Sequence, residues 1–215
     1  MTTCRVLIAK ALRDIRVIAP GDEPHVDGLT SGLEVFSDLI GEIHNARGPL
    51  LDVDVTAATY VPSEDQRLRV QLGDTATITL PNAIPIYASY NPYDYGFSPP
   101  VPTPPVGTTA IADGLQYRQP RDGARIEIVG TTNALYFYRA DINTWTPAYG
   151  LTLDMESPLN ARHDRAFSTM LAAGMSTWFP QAQLPPLMMA RIGRARASIF
   201  TQAGTSRDPV RADYL

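Results

Sequence analysis

PHVDGLTSGLEVFSDLIGEIHNAR, residues 24–47, sets Leu29, Leu33, Phe36, Ile40 and Ile43 at alternating intervals of four and three. That spacing draws one apolar seam along a helix, and such a seam needs a second helix against it. Gly48-Pro49 ends the helix. Gly28, Gly32 and Gly41 lower its intrinsic stability, so tertiary packing has to hold it.

Upstream, Thr2 or Thr3 can cap a helix running to about Val17, with Ile8, Leu12 and Ile15 on its buried face. Ala19-Pro20-Gly21-Asp22 stops it. Helical periodicity returns near the other end. Asn160 is a cap for a helix over Ala161–Phe179, with Phe167, Met170, Leu171, Gly174 and Trp178 on one stripe, and Pro180 terminates it. Pro185 opens a last helix to about Gln202, buried through Met188, Ile192, Ala195 and Ile199. Arg194 points away from that stripe, while Arg191 and Arg196 flank it. Residues 204–215 (GTSRDPVRADYL) have no periodicity and read as a flexible tail.

Between the helical zones, residues 51–154 read as β structure. Arg67–Leu72 (RLRVQL) and Thr75–Leu80 (TATITL) flank Gly73-Asp74, which predicts a hairpin. Arg125–Val129 and Leu135–Arg139 form a second pair across a short loop, and Trp145–Tyr149 adds a further strand. Pro81–Thr109 holds eight prolines together with Tyr87, Tyr90, Tyr93 and Tyr95. Its core PPVPTPP, with Pro99, Pro100 and Pro102, suits neither a helix nor a central strand, because proline lacks the donor and fixes φ. An extended arm that orders against a neighbouring chain is expected there, since tyrosine is enriched in such contacts.

These zones predict an α+β fold. A four-helix bundle forms from residues 1–50 and 155–203, with a β-rich insertion over 51–154, a proline-rich arm over 81–109 and a tail over 204–215.

At 215 residues and 44% hydrophobic content the chain is large enough for a real core. No apolar run approaches the roughly 20 residues needed to cross a bilayer. The opening MTTCRVLIAKALRDIR lacks the features of a signal peptide, which predicts a chain kept in the cytosol of its maker unless it leaves inside something larger. Cys4 is the single cysteine, so no intrachain disulfide can form. The net charge of −4 is uneven: residues 1–184 carry 13 basic and 20 acidic side chains, and residues 185–215 carry 5 against 2. An acidic body with a basic end suits a subunit that docks its end on an acidic partner; a solvated arginine face is the alternative.

Catalytic constellations are not apparent. His25, His44 and His163 show no ligand spacing. Asp52 and Asp54 have the spacing of a cation pair, and equally that of one solvent face of a strand. Asp154 and Glu156 stand ahead of a helix, where acidic residues are favoured in any case. Cys4 has no adjacent base and reads as buried, not reactive. Phosphate-loop, dinucleotide and G-x-S-x-G motifs are missing from the sequence. The chain therefore reads as a structural protein and not an enzyme, with no cofactor or metal. A small hydrolase or carbohydrate-binding module would be favoured if Asp52, Asp54, His163 and Asp164 met in one pocket.

The segment VLIAKALRDIRVIAPGDEPHVDGLTSGLEVFSDLIGEI, Val6–Ile43, resembles the head-to-tail adaptor proteins of tailed bacteriophages, which include tail accessory or packaged-DNA stabilising factors and related connectors. Ala11, Leu12, Arg13, Ile15 and Val17 match the opening helix of that family. Gly21, Asp22, Glu23 and Pro24 match its acidic turn, and a long amphipathic helix follows. The closing LTLDMESPLNARHDRAFSTMLAAGMSTWFP and its arginine-bearing helix are similar in arrangement; the middle of the chain is not.

The resemblance implies a structural virion protein of the neck, made in the host bacterial cytoplasm and assembled between capsid and tail. It implies an oligomeric ring of about twelve copies on the portal protein. A downstream tail or nozzle protein would sit below, with packaged DNA passing without sequence-specific contacts, and no membrane would be involved. Arg191, Arg194, Arg196, Arg207, Arg211 and Tyr214 become candidates for portal binding. Tyr87, Tyr90, Tyr93, Tyr95, Pro99, Pro100 and Pro102 become candidates for contact with a neighbouring subunit or the tail. A different neck role, such as tail completion, is the alternative.

Overall fold

Thr3 has extended backbone and its hydroxyl accepts from the Val6 N–H, so the first helix, α1 (Cys4–Asp14), begins there. In the computed structural model, residues 2–56, 59–71, 77–82, 84–86, 116–130 and 133–200 are described. The chain divides into two compact units, Met1–Pro49 with Ala148–Leu215, and Leu50–Pro147.

In the first unit, the leading N–H groups of α1 find partners far along the chain. Cys4 and Arg5 donate to the carbonyls of Met155 and Leu153, both at 2.9 Å, and Ser157 donates to the Thr2 carbonyl at 3.0 Å. These donors have no partner inside a helix, so the segment around Met155 completes the helix start. The other end closes three residues before the expected Val17. Arg16 takes a left-handed φ of 60°, and the N–H groups of Arg16 and Val17 return to the carbonyls of Arg13 and Leu12. Paired bonds of this kind stop a helix and satisfy its last carbonyls.

Helix α2 (Val26–Ala46) buries Leu29, Phe36, Ile40 and Ile43 as the seam predicts. Leu33 is only half-buried, whereas Val35 and Gly32 are buried beside the seam. Gly48, at φ +84°, turns the chain out of the helix. A short 3₁₀ turn, Ala161–His163, leads into α3 (Asp164–Met175), with the Asn160 side chain accepting from the Arg162 N–H at 3.0 Å. Helix α3 is shorter than expected. It ends at Met175, and Trp178, placed by periodicity on the buried stripe, is 53% exposed. The last helix, α4 (Pro186–Phe200), buries Met188, Ala195 and Ile199, and Ile192 is half-buried.

The four-helix bundle carrying a β-rich insertion is not what forms. The chain is mixed α/β, and its described residues form four α-helices and a five-stranded mixed sheet. α1, α2 and α3 pack on one another, while α4 lies chiefly on α3. The physical reason is the thin apolar stripe of α4: three buried side chains do not supply a helix with two neighbours, and Leu187 and Met189 stay outside at about 60% exposure.

In the second unit, the described residues form nine strands: β1 (Leu51–Val55), β2 (Thr59–Tyr60), β3 (Gln66–Val70), β4 (Thr77–Ile78), β5 (Ile84–Ile86), β6 (Gln116–Arg118), β7 (Arg125–Val129), β8 (Ala134–Arg139) and β9 (Thr144–Pro147). The main sheet runs β1-β3-β7-β8-β9. The pairs β1–β3 and β3–β7 are parallel, and β7–β8 and β8–β9 are antiparallel. The predicted pairing of Arg125–Val129 with Leu135–Arg139 is present.

The strands of the predicted hairpin do not pair with each other among the described residues, and its turn at Gly73-Asp74 lies outside them. Both edges of β3 are taken by β1 and β7, which leaves no ladder for the following segment; Thr77–Ile78 pairs instead, in parallel, with Thr59–Tyr60. β5 and β6 pair antiparallel at the two ends of the proline-rich stretch, with Pro85 opposite Tyr117.

Alternation splits the sheet into two faces. One carries the core: Val55, Leu68, Ile126, Tyr138 and Trp145, with Tyr138 and Trp145 edge to face at 5.3 Å. Trp145 Nε1 donates to the Pro81 carbonyl at 2.7 Å, which satisfies the buried indole. The other face carries charge in register. Asp52, Arg67 and Glu127 stand side by side across β1, β3 and β7, with Arg67 2.8 Å from Glu127 and 3.8 Å from Asp52.

Candidate partner-binding surface

Pro185 and Pro186 start α4 without cost, because the first N–H groups of a helix have no internal acceptor. Burial of Met188, Ala195 and Ile199 then fixes the rotation of the helix and leaves Arg191, Arg194 and Arg196 exposed. The three arginines differ in their surroundings. Arg196 is engaged within its own unit, 3.7 Å from Glu42 and with its guanidinium carbon 5.3 Å from the centre of the Phe200 ring. Arg191 and Arg194 face α3 instead.

There they meet Arg162 and Arg165, and the four line a groove of about 530 Å³. Arg162 Nε donates to His163 Nε2 at 3.1 Å, which fixes the side chain at the groove's rim. Among the described residues, no carboxylate pairs with the guanidinium groups of Arg165, Arg191 or Arg194. The groove therefore concentrates positive charge in a chain whose net charge is −4. Sequence reasoning picks out the α4 arginines but not Arg162 in the 3₁₀ turn and Arg165 on α3. The signal is in ARHDR, residues 161–165: arginines in the first turn oppose the helix dipole, which favours acids there.

Arg207, Arg211 and Tyr214 lie outside the described residues, as do Tyr87, Tyr90, Tyr93, Tyr95, Pro99, Pro100 and Pro102. Asp52 and Asp54 belong to the sheet unit and His163 and Asp164 to the helical unit. Asp52 is held by Arg69 at 2.8 Å as well as by Arg67. Asp154 accepts from Arg5 at 3.0 Å, and Glu156 forms an isolated bridge with Thr3. His25 caps α2 by accepting from the Asp27 N–H, and His44 stands in the last turn of that helix.

Cys4 is buried, and burial pushes its thiol up to about 11. Among the described residues, no group of three His, Cys, Asp or Glu side chains is arranged to hold a metal ion, and no helix is long and apolar enough to cross a membrane. Comparison with known protein families and with curated proteins finds no match for this chain.

Proposed function

We propose that the chain is a head-to-tail adaptor of a tailed bacteriophage, a structural subunit that joins the portal ring to the tail and helps retain packaged DNA. The observation that carries this reading is the form of Val6–Ile43. The segment that resembles adaptors contains two packed helices, α1 and α2, and the Gly21-Asp22-Glu23-Pro24 turn lies between them. Gly21 sits there at φ +98°, where a side chain is strained.

The basic, outward arginines of α4 add a surface suited to an acidic partner. In this reading copies close into a ring on the portal, and weak individual contacts are multiplied by the ring's symmetry. The acidic body repels the phosphates of DNA and lets the genome slide.

Mixing the purified chain with portal rings and imaging the product tests the reading. The expected result is a chain that is monomeric alone and forms a second ring stacked on the portal. Deletion of residues 204–215 is expected to weaken that stacking and leave the melting curve unchanged. Rings at the far end of isolated tail tubes would favour a tail-completion role. Absence of any complex with portal or tail would overturn both.

A further inference from the structure

We infer that the groove between α3 and α4 is a recognition site for a short acidic peptide segment of a partner protein. The inference rests on the groove and not on the adaptor reading: another kind of subunit would keep this groove, and an adaptor can dock without it.

The lining argues for an anion. Arg162 and Arg165 stand three apart along one wall, and Arg191 and Arg194 three apart along the other. Residues three apart on a helix are neighbours on its surface, so each wall presents two guanidinium groups side by side. Arg165, Arg191 and Arg194 gathered this way repel one another, and among the described residues no carboxylate pairs with them or lines the groove. A bound anion removes that repulsion. Guanidinium also matches a carboxylate in shape, two parallel N–H donors to two oxygens, and such paired, charge-assisted bonds are among the strongest available to a side chain.

The floor narrows the class of anion. Ala166 and Ala195 leave depth between the helices, and Leu187 offers an exposed apolar edge. Ser198 is exposed and contributes a hydroxyl. Packed helices lie roughly 8–10 Å apart, so the space between them does not admit a nucleic-acid duplex. A single strand would fit by width, but single-strand sites stack bases on aromatic rings, and among the described residues no aromatic side chain lines this groove. Carboxylates on an extended backbone, with an apolar side chain against Leu187, satisfy walls and floor together. A volume of about 530 Å³ suits a short segment.

The test is fluorescence anisotropy on the full chain with a labelled peptide pool, Asp or Glu at alternate positions and Leu, Val or Ala between. Saturable binding is expected in the micromolar to low-millimolar range. The double substitution Arg165→Ala with Arg194→Ala should weaken it by about tenfold or more, whereas Lys10→Ala, an exposed cation elsewhere, should change it by less than about twofold. Arg165→Lys with Arg194→Lys keeps the charge and should still weaken binding, because it removes the two-pronged geometry. All these side chains are exposed or at a rim, so unchanged melting curves should accompany them.

No saturable binding of the pool overturns the proposal, as does an equal loss in Lys10→Ala. Single-stranded DNA that binds more tightly than the peptides, and loses that binding in the double variant, would overturn it in favour of a nucleic-acid site.

Discussion

Phe36 on α2 and Phe167 on α3 meet edge to face, with ring centroids 4.7 Å apart and planes at 64°. Both rings are fully buried, so the contact ties the early helices to the late one across the whole intervening sheet unit of the sequence. Phe36→Ala is expected to cost about 3–5 kcal/mol, the usual loss for a buried ring. Trp178 fell on the same periodic stripe but lies beyond the end of α3 and is 53% exposed. Trp178→Ala should therefore cost under about 1 kcal/mol. Equilibrium unfolding in urea measures both, and equal losses would mean that α3 continues to Trp178.

Gly32 supplies a second, opposite-signed pair. A Cβ at Gly32 would collide with Ile8 Cγ2 and stand 3.0 Å from Met175 Cε, whereas a Cβ at Gly41 meets nothing within 4 Å. Helix propensity favours alanine over glycine by about 1 kcal/mol at either position. At Gly32 the overpacking cost of about 1–3 kcal/mol wins, because Ile8 is branched and fully buried. Gly32→Ala should lower the melting temperature and Gly41→Ala should raise it. The same direction for both would remove the close approach of α1 and α2 from the account.

Residues whose partners are close in sequence, or whose burial shows as a period, are legible in the sequence. The seam of Phe36, Ile40 and Ile43 and the β7–β8 pair are of this kind. Pairings between distant segments are not legible in this way. RLRVQL-GD-TATITL carries a hairpin's local chemistry, yet Leu68 pairs with Val53 and Ile128, both in parallel, and nothing local encodes a parallel neighbour. The candidate surface shows the same split. The Met188, Ala195 and Ile199 stripe turns Arg194 away from the core and leaves Arg191 on its flank, which spacing predicts. That Arg162 and Arg165 face them depends on how α4 lies on α3, which spacing does not contain.

Asp65 is the counter-charge of a buried arginine. The Arg125 side chain is 2% exposed; its Nε lies 3.4 Å from Asp65 Oδ1, and its backbone N–H donates to the same oxygen at 3.1 Å. Burial lowers the Arg125 pKa and Asp65 partly restores it, with Glu127 adding a smaller attraction. Asp65 also has a φ of 57°, a conformation that Asn tolerates well, so Asp65→Asn removes the charge without straining the backbone. The expected loss is about 2–4 kcal/mol, since a buried cation loses one of its counter-charges and the pair of Asp65 with Arg121 goes with it. Asp154→Asn, which breaks the exposed pair with Arg5, should cost no more than about 1 kcal/mol. Similar unfolding midpoints for these two variants would show that the Arg125 site is wetter than its burial implies.

Cys4 sits in the first turn of α1, where the helix dipole favours a thiolate, but complete burial outweighs that and the thiol is pushed up to about 11 from 9.0. The folded protein thus holds its proton where the unfolded chain releases it. Above the unfolded value the unfolded state binds fewer protons than the folded one, so stability falls as pH rises. The contribution is fully present below about pH 9 and is lost by about pH 11, amounting to roughly 2–3 kcal/mol. Tyr138, whose pKa is also raised by burial, adds a loss of the same sign in this range. Comparison with Cys4→Ala separates the two, because the tyrosine is common to both proteins and the small cavity has no pH dependence. Urea unfolding from pH 8 to pH 11 should show the parent losing stability faster than the variant, with the difference closing toward the upper end. Parallel curves for the two proteins over that whole interval would mean that Cys4 ionises as freely in the folded state as in the unfolded chain.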